Sequence, residues 1–252
     1  MFPVLQLGPL VIQTPGLVLL LGFWAGMELA ERHAVQRGIP EGRVYNLILV
    51  SLITGLLGAR LGFIAQYPSA FASSPLSIFA LSPQMLSVPS GLLVAFLTTL
   101  IITQRKKLPA WTTLDSLVSL LAMMTVALGI AHLASGDAYG LPTALPWGIE
   151  LWGDRRHPTQ LYETVLALLV LALLWPARKY RYSAWIQPEG TRFWAFLALS
   201  AVSWIITETF RAEGTLIFGV RQSQIVAWLI LGISVWGWRK RLFPDQTSPE
   251  RS

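Results

Sequence analysis

The sequence has no cysteine, few histidines and few charged residues. Its 252 residues include three His, and only 13% are Asp, Glu, Lys or Arg. Without cysteine, the chain can form no disulfide bond, thiolate metal site or cysteine nucleophile, so any thiol chemistry requires a thiol from a partner. The scattered histidines indicate no metal cluster, and neither a Gly-x-Ser-x-Gly phrase nor a His-Glu-x-x-His pair occurs. We therefore expect no metal and no cofactor.

Apolar residues dominate the rest of the chain. Hydrophobic residues make up 54% of the sequence, and the mean hydropathy is +0.55, which is too apolar for a soluble domain of this length. A membrane-spanning helix needs roughly 20 mainly apolar residues. Seven such segments are present, at 16–35, 45–67, 86–104, 112–135, 159–177, 191–210 and 222–240. We predict an all-α polytopic membrane protein with about seven transmembrane helices, forming a single membrane domain over 1–252.

The basic residues indicate how the chain crosses the bilayer. Of its 19 Lys and Arg, 14 lie in or next to the connections after the first, third and fifth segments, or at and beyond the end of the seventh. The opposite side has four: Arg155, Arg156, Arg211 and Arg221. The positive-inside rule then predicts a cytoplasmic C-terminus and an outer N-terminus. The net charge of +6 fits this topology and would favour anionic lipid surfaces. We therefore expect no nucleic-acid partner.

The two longer connections have distinct compositions. Residues 68–85 are rich in Ser and Pro and predict an arm-like loop, whereas 136–158 are rich in Gly, Pro and Trp and predict a small extracytoplasmic head. Residues 1–13 contain no basic residue, so we expect no cleavable signal peptide. No inverted repeat of the kind found in transporters is visible.

Charged residues inside the predicted spans are costly unless they are paired or face a polar cavity. Glu28 and Arg32 stand four residues apart, and Glu208 and Arg211 three apart, so both pairs predict ion pairs within one helix. Arg60 has no acidic residue nearby on its own segment, and either another helix or an anion is expected as its partner. The small residues around it predict a smooth packing face, formed by Gly55, Gly58, Ala59 and Gly62.

Several phrases occur in an order that points to a known family. They are "GARLGFIAQY" (58–67), an aspartate at Asp115, "DAYGLPTALPWGIEL" (137–151), "RHPTQLYE" (156–163), "ETFR" (208–211) and "SQIVA" (223–227). Together they resemble the prolipoprotein diacylglyceryl transferase family of the bacterial inner membrane. The resemblance implies transfer of a diacylglyceryl group from phosphatidylglycerol to the lipobox cysteine in the signal peptide of a preprolipoprotein. The nucleophilic thiol would then belong to the substrate, in keeping with a chain that lacks cysteine.

Such a reaction needs a base for the thiol and cations for the departing phosphate. His132 and His157 are the candidate catalytic residues because histidine changes its protonation state near neutral pH. Arg60, Arg156 and Arg211 are the candidate phospholipid-binding residues, since the guanidinium group binds phosphate oxygens in pairs. The supporting residues implied by the resemblance are Asp137, Tyr139, Gln160, Tyr162, Glu163, Glu208 and Gln224.

Structural roles are open for the same residues. His132 lies in an apolar helix end, where it could serve only to pack two helices, and His157 could serve to begin the helix that follows Pro158. We expect Glu163 to pair with Arg156 or Arg60 rather than to transfer protons.

The chain also departs from the family pattern. Counted without gaps, an arginine expected of the family falls on Gly129, two asparagines fall on His132 and Ser135, and a glutamate falls on Asp137. The remaining departures are at Pro15, at Pro89 to Gly91, at Ser200 and at Trp204. Two functions follow from this mixture: a transferase with a rearranged site, or a catalytically degenerate member that binds lipid or lipoprotein.

Overall fold

The computed structural model describes residues 4–8, 10–72, 77–78, 85–175, 188–217 and 220–243. Within these residues, seven helices of 15 to 26 residues follow the seven predicted segments, and a five-residue helix follows the second of them. The helices are α1 (Thr14–Gln36), α2 (Arg43–Gln66), α3 (Pro68–Ala72), α4 (Val88–Arg105), α5 (Ala110–Ser135), α6 (Thr159–Leu173), α7 (Thr191–Phe210) and α8 (Gln222–Leu242).

The class of protein predicted from composition is confirmed. Helices α2, α4, α5 and α7 are long and apolar enough to cross a membrane, and α6 is a shorter apolar helix. Large apolar side chains point outward from several helices; Leu61, Leu92 and Trp236, for example, are at least 60% exposed. Such faces would be unfavourable in water and are expected where lipid is the solvent. The chain is an all-α, multi-pass membrane protein.

Three short antiparallel hairpins accompany the helices and are not predicted by the sequence pattern. They pair β1 (Val4–Leu7) with β2 (Leu10–Gln13), β3 (Ile149–Leu151) with β4 (Asp154–Arg156), and β5 (Leu216–Ile217) with β6 (Val220–Arg221). The β3–β4 hairpin lies in the connection predicted to be the head. Backbone hydrogen bonds tie this connection to the end of α7, from Leu141 N to Phe210 O at 2.8 Å, and to its own end, from His157 N to Leu141 O at 3.0 Å.

The chain divides into two compact units, Met1–His33 with Leu114–Ser252, and Ala34–Thr113. In the second unit, α2 packs closely on α4 through the predicted face of small residues. A Cβ atom added to Gly58 would lie 2.5 Å from Val94, and one added to Gly62 would lie 2.2 Å from Ser90 Oγ. Because these distances are shorter than any real carbon contact, the two helices approach as closely as glycine permits. The predicted packing face is confirmed.

The first unit has an apolar core between α5, α6 and α7. Its buried members are Val118, Ala122 and Val126 on α5, Ala167, Val170 and Leu171 on α6, and Ala195 and Phe196 on α7, together with Leu174. On α5 these side chains repeat four residues apart, and on α6 Ala167 stands three and four residues before the other two, so each of these helices turns one face to the core. The core fixes the spacing of the three helices that build the candidate site.

The N-terminus of α7 is held by α5. The Asp115 carboxylate accepts hydrogen bonds from Gly190 N at 2.7 Å and Phe193 N at 2.8 Å, which satisfies backbone donors that a helix leaves open. The buried Arg192 donates to Leu174 O at 3.0 Å and to Ser119 Oγ at 3.0 Å. These contacts fix α7 at one end, and the candidate site lies at its other end.

Candidate active site

An ionic cluster joins the ends of α5, α6 and α7. Glu163, near the start of α6, places its Oε2 atom 3.0 Å from His132 Nδ1, in the last turn of α5. The same oxygen lies 3.1 Å from Nη2 of Arg211, the first residue after α7. All three side chains are about one-fifth exposed. Glu163 thus connects the imidazole and the guanidinium group.

The predicted partners of Glu163 were wrong. Its carboxylate contacts His132 and Arg211, whereas Arg156 donates to Leu151 O at 3.1 Å and to Asp154 Oδ2 at 2.9 Å. Arg156 lies in the β3–β4 hairpin, where nearby carbonyl groups are in reach of its guanidinium group. Helix packing brings Glu163 instead to residues 31 and 48 positions away in sequence.

A second carboxylate extends the cluster. Glu208 Oε1 lies 3.4 Å from Arg211 Nη1, which confirms the ion pair predicted within this helix end. Its other oxygen, Oε2, lies 3.8 Å from Arg221 Nη1. Arg221 was counted among the basic residues of the loops but was not predicted as a site residue. A signal was present, because Arg221 lies two residues before the "SQIVA" phrase of α8.

Two cavities meet at this cluster. The first has a volume of about 340 Å³, runs between α5, α6 and α7, and is lined by Thr125, Leu128, His132, Glu163, Ala167, Val170, Ser200, Ser203, Trp204, Thr207 and Arg211. The second has a volume of about 480 Å³ and is lined by His132, Ala138, Glu208, Arg211, Glu213, Gly214, Thr215, Gln222, Ser223 and Val226. We call them the apolar cavity and the polar cavity. His132 and Arg211 line both, so the cluster stands at the boundary between an apolar and a polar space.

His157, the other candidate base, lies in an aromatic group. Its Nδ1 atom is 3.4 Å from the Tyr162 hydroxyl oxygen, which accepts a hydrogen bond from Trp147 Nε1 at 2.9 Å. Its ring centre lies 5.0 Å from that of Phe210. His157 lines neither of the two cavities. These contacts join the head to α6 and α7, and the catalytic role of His157 stays a prediction.

Gln160 and Asp137 connect α6 to the end of α5. Gln160 is fully buried and donates from Nε2 to the main-chain oxygen of Asp137 at 2.9 Å. Asp137 itself is exposed and makes this contact through its backbone. Gln224 donates to Thr209 Oγ1 at 3.3 Å and so links α8 to α7. These three predicted residues position the helices around the cluster.

Tyr139 lies in the head, beside two charged groups. A hydrogen bond to the Glu213 side chain, together with the negative charge of that carboxylate, raises the pKa of the Tyr139 hydroxyl above its ordinary value, and Arg156 opposes this effect. The guanidinium group of Arg156 lies over the Tyr139 ring, 5.1 Å from its centre. The Tyr139 hydroxyl thus lies beside Glu213, which lines the polar cavity.

Arg60, for which another helix or an anion was expected as partner, donates to backbone carbonyl groups within its own unit. It donates to Ile78 O at 3.0 Å, to Met85 O at 3.0 Å and to Ser77 O, and its guanidinium carbon lies 5.3 Å from the centre of the Phe71 ring. Parts of the predicted arm, 73–76 and 79–84, lie outside the described residues. A phospholipid role for Arg60 stays a prediction.

One departure from the family pattern, Gly129, has a structural reason. A Cβ atom at Gly129 would lie 2.5 Å from Thr164 Oγ1 and 3.0 Å from Thr164 N, so α5 and α6 leave no room for a side chain there. Ser200 and Trp204, where the resemblance places a tyrosine and an arginine, both line the apolar cavity. In this chain, the cationic group at that cavity is Arg211.

Comparisons with known proteins agree on one family. The sequence model of the family described as prolipoprotein diacylglyceryl transferase matches residues 3–239. A phosphatidylglycerol–prolipoprotein diacylglyceryl transferase of Desulfotalea psychrophila is 30% identical over 94% of this chain and 92% of its own length. The protein of the same name from Geobacter sulfurreducens is 34% identical over 82% of this chain and 80% of its own. One from Trichormus variabilis is 28% identical over 98% and 93%.

These matches cover nearly the whole chain and are consistent with the ordered phrases, the helix pattern and the cluster on α5, α6 and α7. The chain belongs to the prolipoprotein diacylglyceryl transferase family.

Proposed function

We propose that this protein transfers a diacylglyceryl group from phosphatidylglycerol to the thiol of the lipobox cysteine of a preprolipoprotein. Its relatives bear the name of this activity. The observation that carries the proposal for this chain is the contact of Glu163 with both His132 and Arg211, at the boundary of an apolar and a polar cavity. A phospholipid is likewise divided into apolar acyl chains and a polar headgroup. Its reacting glyceryl carbon lies where these two parts join.

His132 is the proposed base. Its Nδ1 atom faces the Glu163 carboxylate, so this nitrogen carries the proton and leaves Nε2 as the acceptor, an assignment made from the hydrogen bond. Among the described residues, Nε2 has no hydrogen-bond partner. A carboxylate that holds a histidine in one tautomer is a common way to prepare a base, and Glu163 takes that positioning role.

Arg211 is the proposed contact for the phosphate. Both of its Nη atoms face carboxylates, but the buried Nε atom has no acceptor within the described part of the chain. A phosphate oxygen at this atom would supply the missing acceptor and bring the positive charge to the leaving group. The phosphate role has less support for Arg60 and Arg156, because their guanidinium groups donate to backbone carbonyl groups.

The reaction then runs as a displacement. The thiol gives its proton to His132 Nε2, and its sulfur forms a bond to the terminal glyceryl carbon. The bond between that carbon and the phosphate oxygen breaks, and glycerol phosphate leaves with the electron pair. The apolar cavity receives part of the diacylglyceryl chains. The basic residues of the loops support an outer position for the head and an inner position for the C-terminus.

The test is a transfer assay with purified protein, phosphatidylglycerol and a lipobox peptide. We expect a peptide that gains the mass of a diacylglyceryl group through a thioether, with one glycerol phosphate released per peptide. A lipobox peptide with serine in place of cysteine is the control and should gain nothing. Lipid binding without any thioether product would reject the transferase and leave a lipid-binding family member.

A further inference from the structure

Helix α6 is short for a helix that crosses a membrane. It has 15 residues, which span about 22 Å, whereas the hydrocarbon core of a bilayer is about 30 Å thick. Its neighbours α5 and α7 have 26 and 20 residues and therefore span about 30 Å or more. A tilt of α6 would only reduce the thickness that it covers. The helix is thus too short for a bilayer of ordinary thickness.

Polar contacts fix both ends of α6. Near its start, Glu163 contacts His132 at 3.0 Å and Arg211 at 3.1 Å. Just past its end, Leu174 O accepts hydrogen bonds from Nε and Nη2 of the buried Arg192, at 3.0 and 2.7 Å. Leu174 follows Glu163 by 11 positions, so these two contacts with charged groups lie only about 17 Å apart along the helix.

Exposed tryptophans mark the same two levels. Trp147, in the head, is 58% exposed and donates from Nε1 to the hydroxyl of Tyr162, in the first turn of α6, at 2.9 Å. Trp175, two residues past the end of α6, is 44% exposed. Tryptophan and tyrosine are enriched at the level of the lipid headgroups. Trp175 follows Tyr162 by 13 positions, which indicates headgroup layers about 20 Å apart.

An apolar face of α6 joins these two levels. Its outward side chains repeat every four residues and are 46% to 55% exposed: Leu161, Val165, Leu169 and Leu173. Residues 164–175 include no charged side chain. Acyl chains can therefore cover this face along its whole length, and the face ends where the exposed aromatic rings begin.

We infer that the bilayer is locally thinned along α6, with one headgroup layer at the level of Trp147 and the other at the level of Trp175. A bilayer adapts to a short hydrophobic segment in this way at modest cost. The longer neighbouring helices confine the thinning to the lipids that cover α6. Because Glu163 lies at one of the two levels, the thinning brings the glyceryl region of a bilayer lipid to the ionic cluster, a consequence that rests on the proposed function.

Spin-label depth measurements test the inference without requiring catalysis. The chain has no cysteine, so Leu161→Cys, Val165→Cys, Leu169→Cys and Leu173→Cys each introduce a single thiol for a nitroxide. The labelled proteins are reconstituted in vesicles of dioleoylphosphatidylcholine and dioleoylphosphatidylglycerol. Collisions with oxygen and with a water-soluble nickel chelate then give the depth of each label. We expect a greatest depth of about 10 Å on α6, half the distance between the two levels, with the labels at 161 and 173 close to the headgroups.

Helix α8 is the matched control. It has 21 residues, and its exposed Ile225, Leu229 and Ile233 also repeat every four residues. Labels at these three positions should reach a greatest depth of about 15 Å, half of an ordinary hydrocarbon core. Equal greatest depths on the two helices would overturn the inference. If Leu169→Cys does not fold, Leu168→Cys, also exposed, takes its place.

The transfer assay separates this inference from the proposed function. A shallow depth profile on α6 without thioether product would keep the thinned bilayer and reject the transferase. Thioether formation with equal greatest depths on α6 and α8 would keep the transferase and reject the thinning.

Discussion

At the scale of single residues, the cluster of Glu163, His132 and Arg211 makes Glu163 the group that orients the other two. Glu163→Gln keeps the shape of the side chain but removes the charge, and its amide can face His132 with either a donor or an acceptor. We expect the turnover number for thioether formation to fall by about 10²- to 10⁴-fold, the range of a disabled acid–base group.

Glu31→Gln, on α1, provides a charge-matched control and should leave turnover within a factor of two of the unaltered protein. If Glu163→Gln raised only the concentration of phosphatidylglycerol needed for half-maximal rate, Glu163 would be a lipid-binding group and not a positioning residue for the base.

At Gly129, α5 is in close contact with Thr164 of α6. Gly129→Ala would place a methyl group 2.5 Å from Thr164 Oγ1, so the helices must separate, and we expect the free energy of unfolding to fall by about 1–3 kcal/mol. The measurement is thermal unfolding in detergent, followed by the fluorescence of the 11 tryptophans. Gly232→Ala, on α8, should be neutral or stabilising, because the added methyl group would meet no described atom within 4 Å apart from its own helix backbone and chain neighbours. Equal effects of the two substitutions would contradict the close contact.

Part of the site was predictable at this scale and part was not. The pair of Glu208 with Arg211 follows from their spacing on one helix, and the sequence predicted it correctly. The partners of Glu163 come from other helices, and nothing in a single sequence states which helices are neighbours. The choice between Arg156, Arg60 and Arg211 therefore required the packing of α5, α6 and α7.

At the scale of elements, the contacts of Arg60 predict a role in holding the segment that follows α3. It donates to the carbonyl groups of Ser77, Ile78 and Met85 through three different guanidinium nitrogens. A lysine has one nitrogen and cannot reproduce this planar spread of donors. We expect Arg60→Lys to increase the rate of proteolytic cleavage within 68–85 severalfold. Arg43→Lys, at the exposed start of α2, is the control and should not change it. A loss of phosphatidylglycerol affinity with unchanged cleavage would support the phospholipid role instead.

The helices themselves were predicted closely because their apolar segments are long and end at Gly, Pro or charged residues. For α7, the predicted range 191–210 is the observed one, and α6 begins at the predicted residue 159. The three hairpins were missed because each strand has only two to four residues, too few for a period of two to be read. Of the three hairpins, β3–β4 is the most important for the candidate site residues, because it fixes the side chain of Arg156.

At the scale of the whole molecule, the absence of cysteine offers a direct test of orientation. Single cysteines can be introduced by Glu150→Cys in the head and by Lys106→Cys after α4, and each can be treated in intact cells with a membrane-impermeant maleimide. The distribution of basic residues predicts that Glu150→Cys is labelled in intact cells and Lys106→Cys only after lysis. The unaltered chain serves as the blank. The opposite pattern of labelling would reverse the proposed orientation.

The proposed transfer depends on His132 accepting the thiol proton beside Glu163. The measurement that tests it most directly is the single-turnover rate of thioether formation on a lipobox peptide, with phosphatidylglycerol bound, for the unaltered protein and for His132→Ala. We expect product from the unaltered protein and a rate at least about 100-fold lower from His132→Ala, with bound phosphatidylglycerol unchanged. Equal rates from the two proteins would contradict the assignment of His132 as the base.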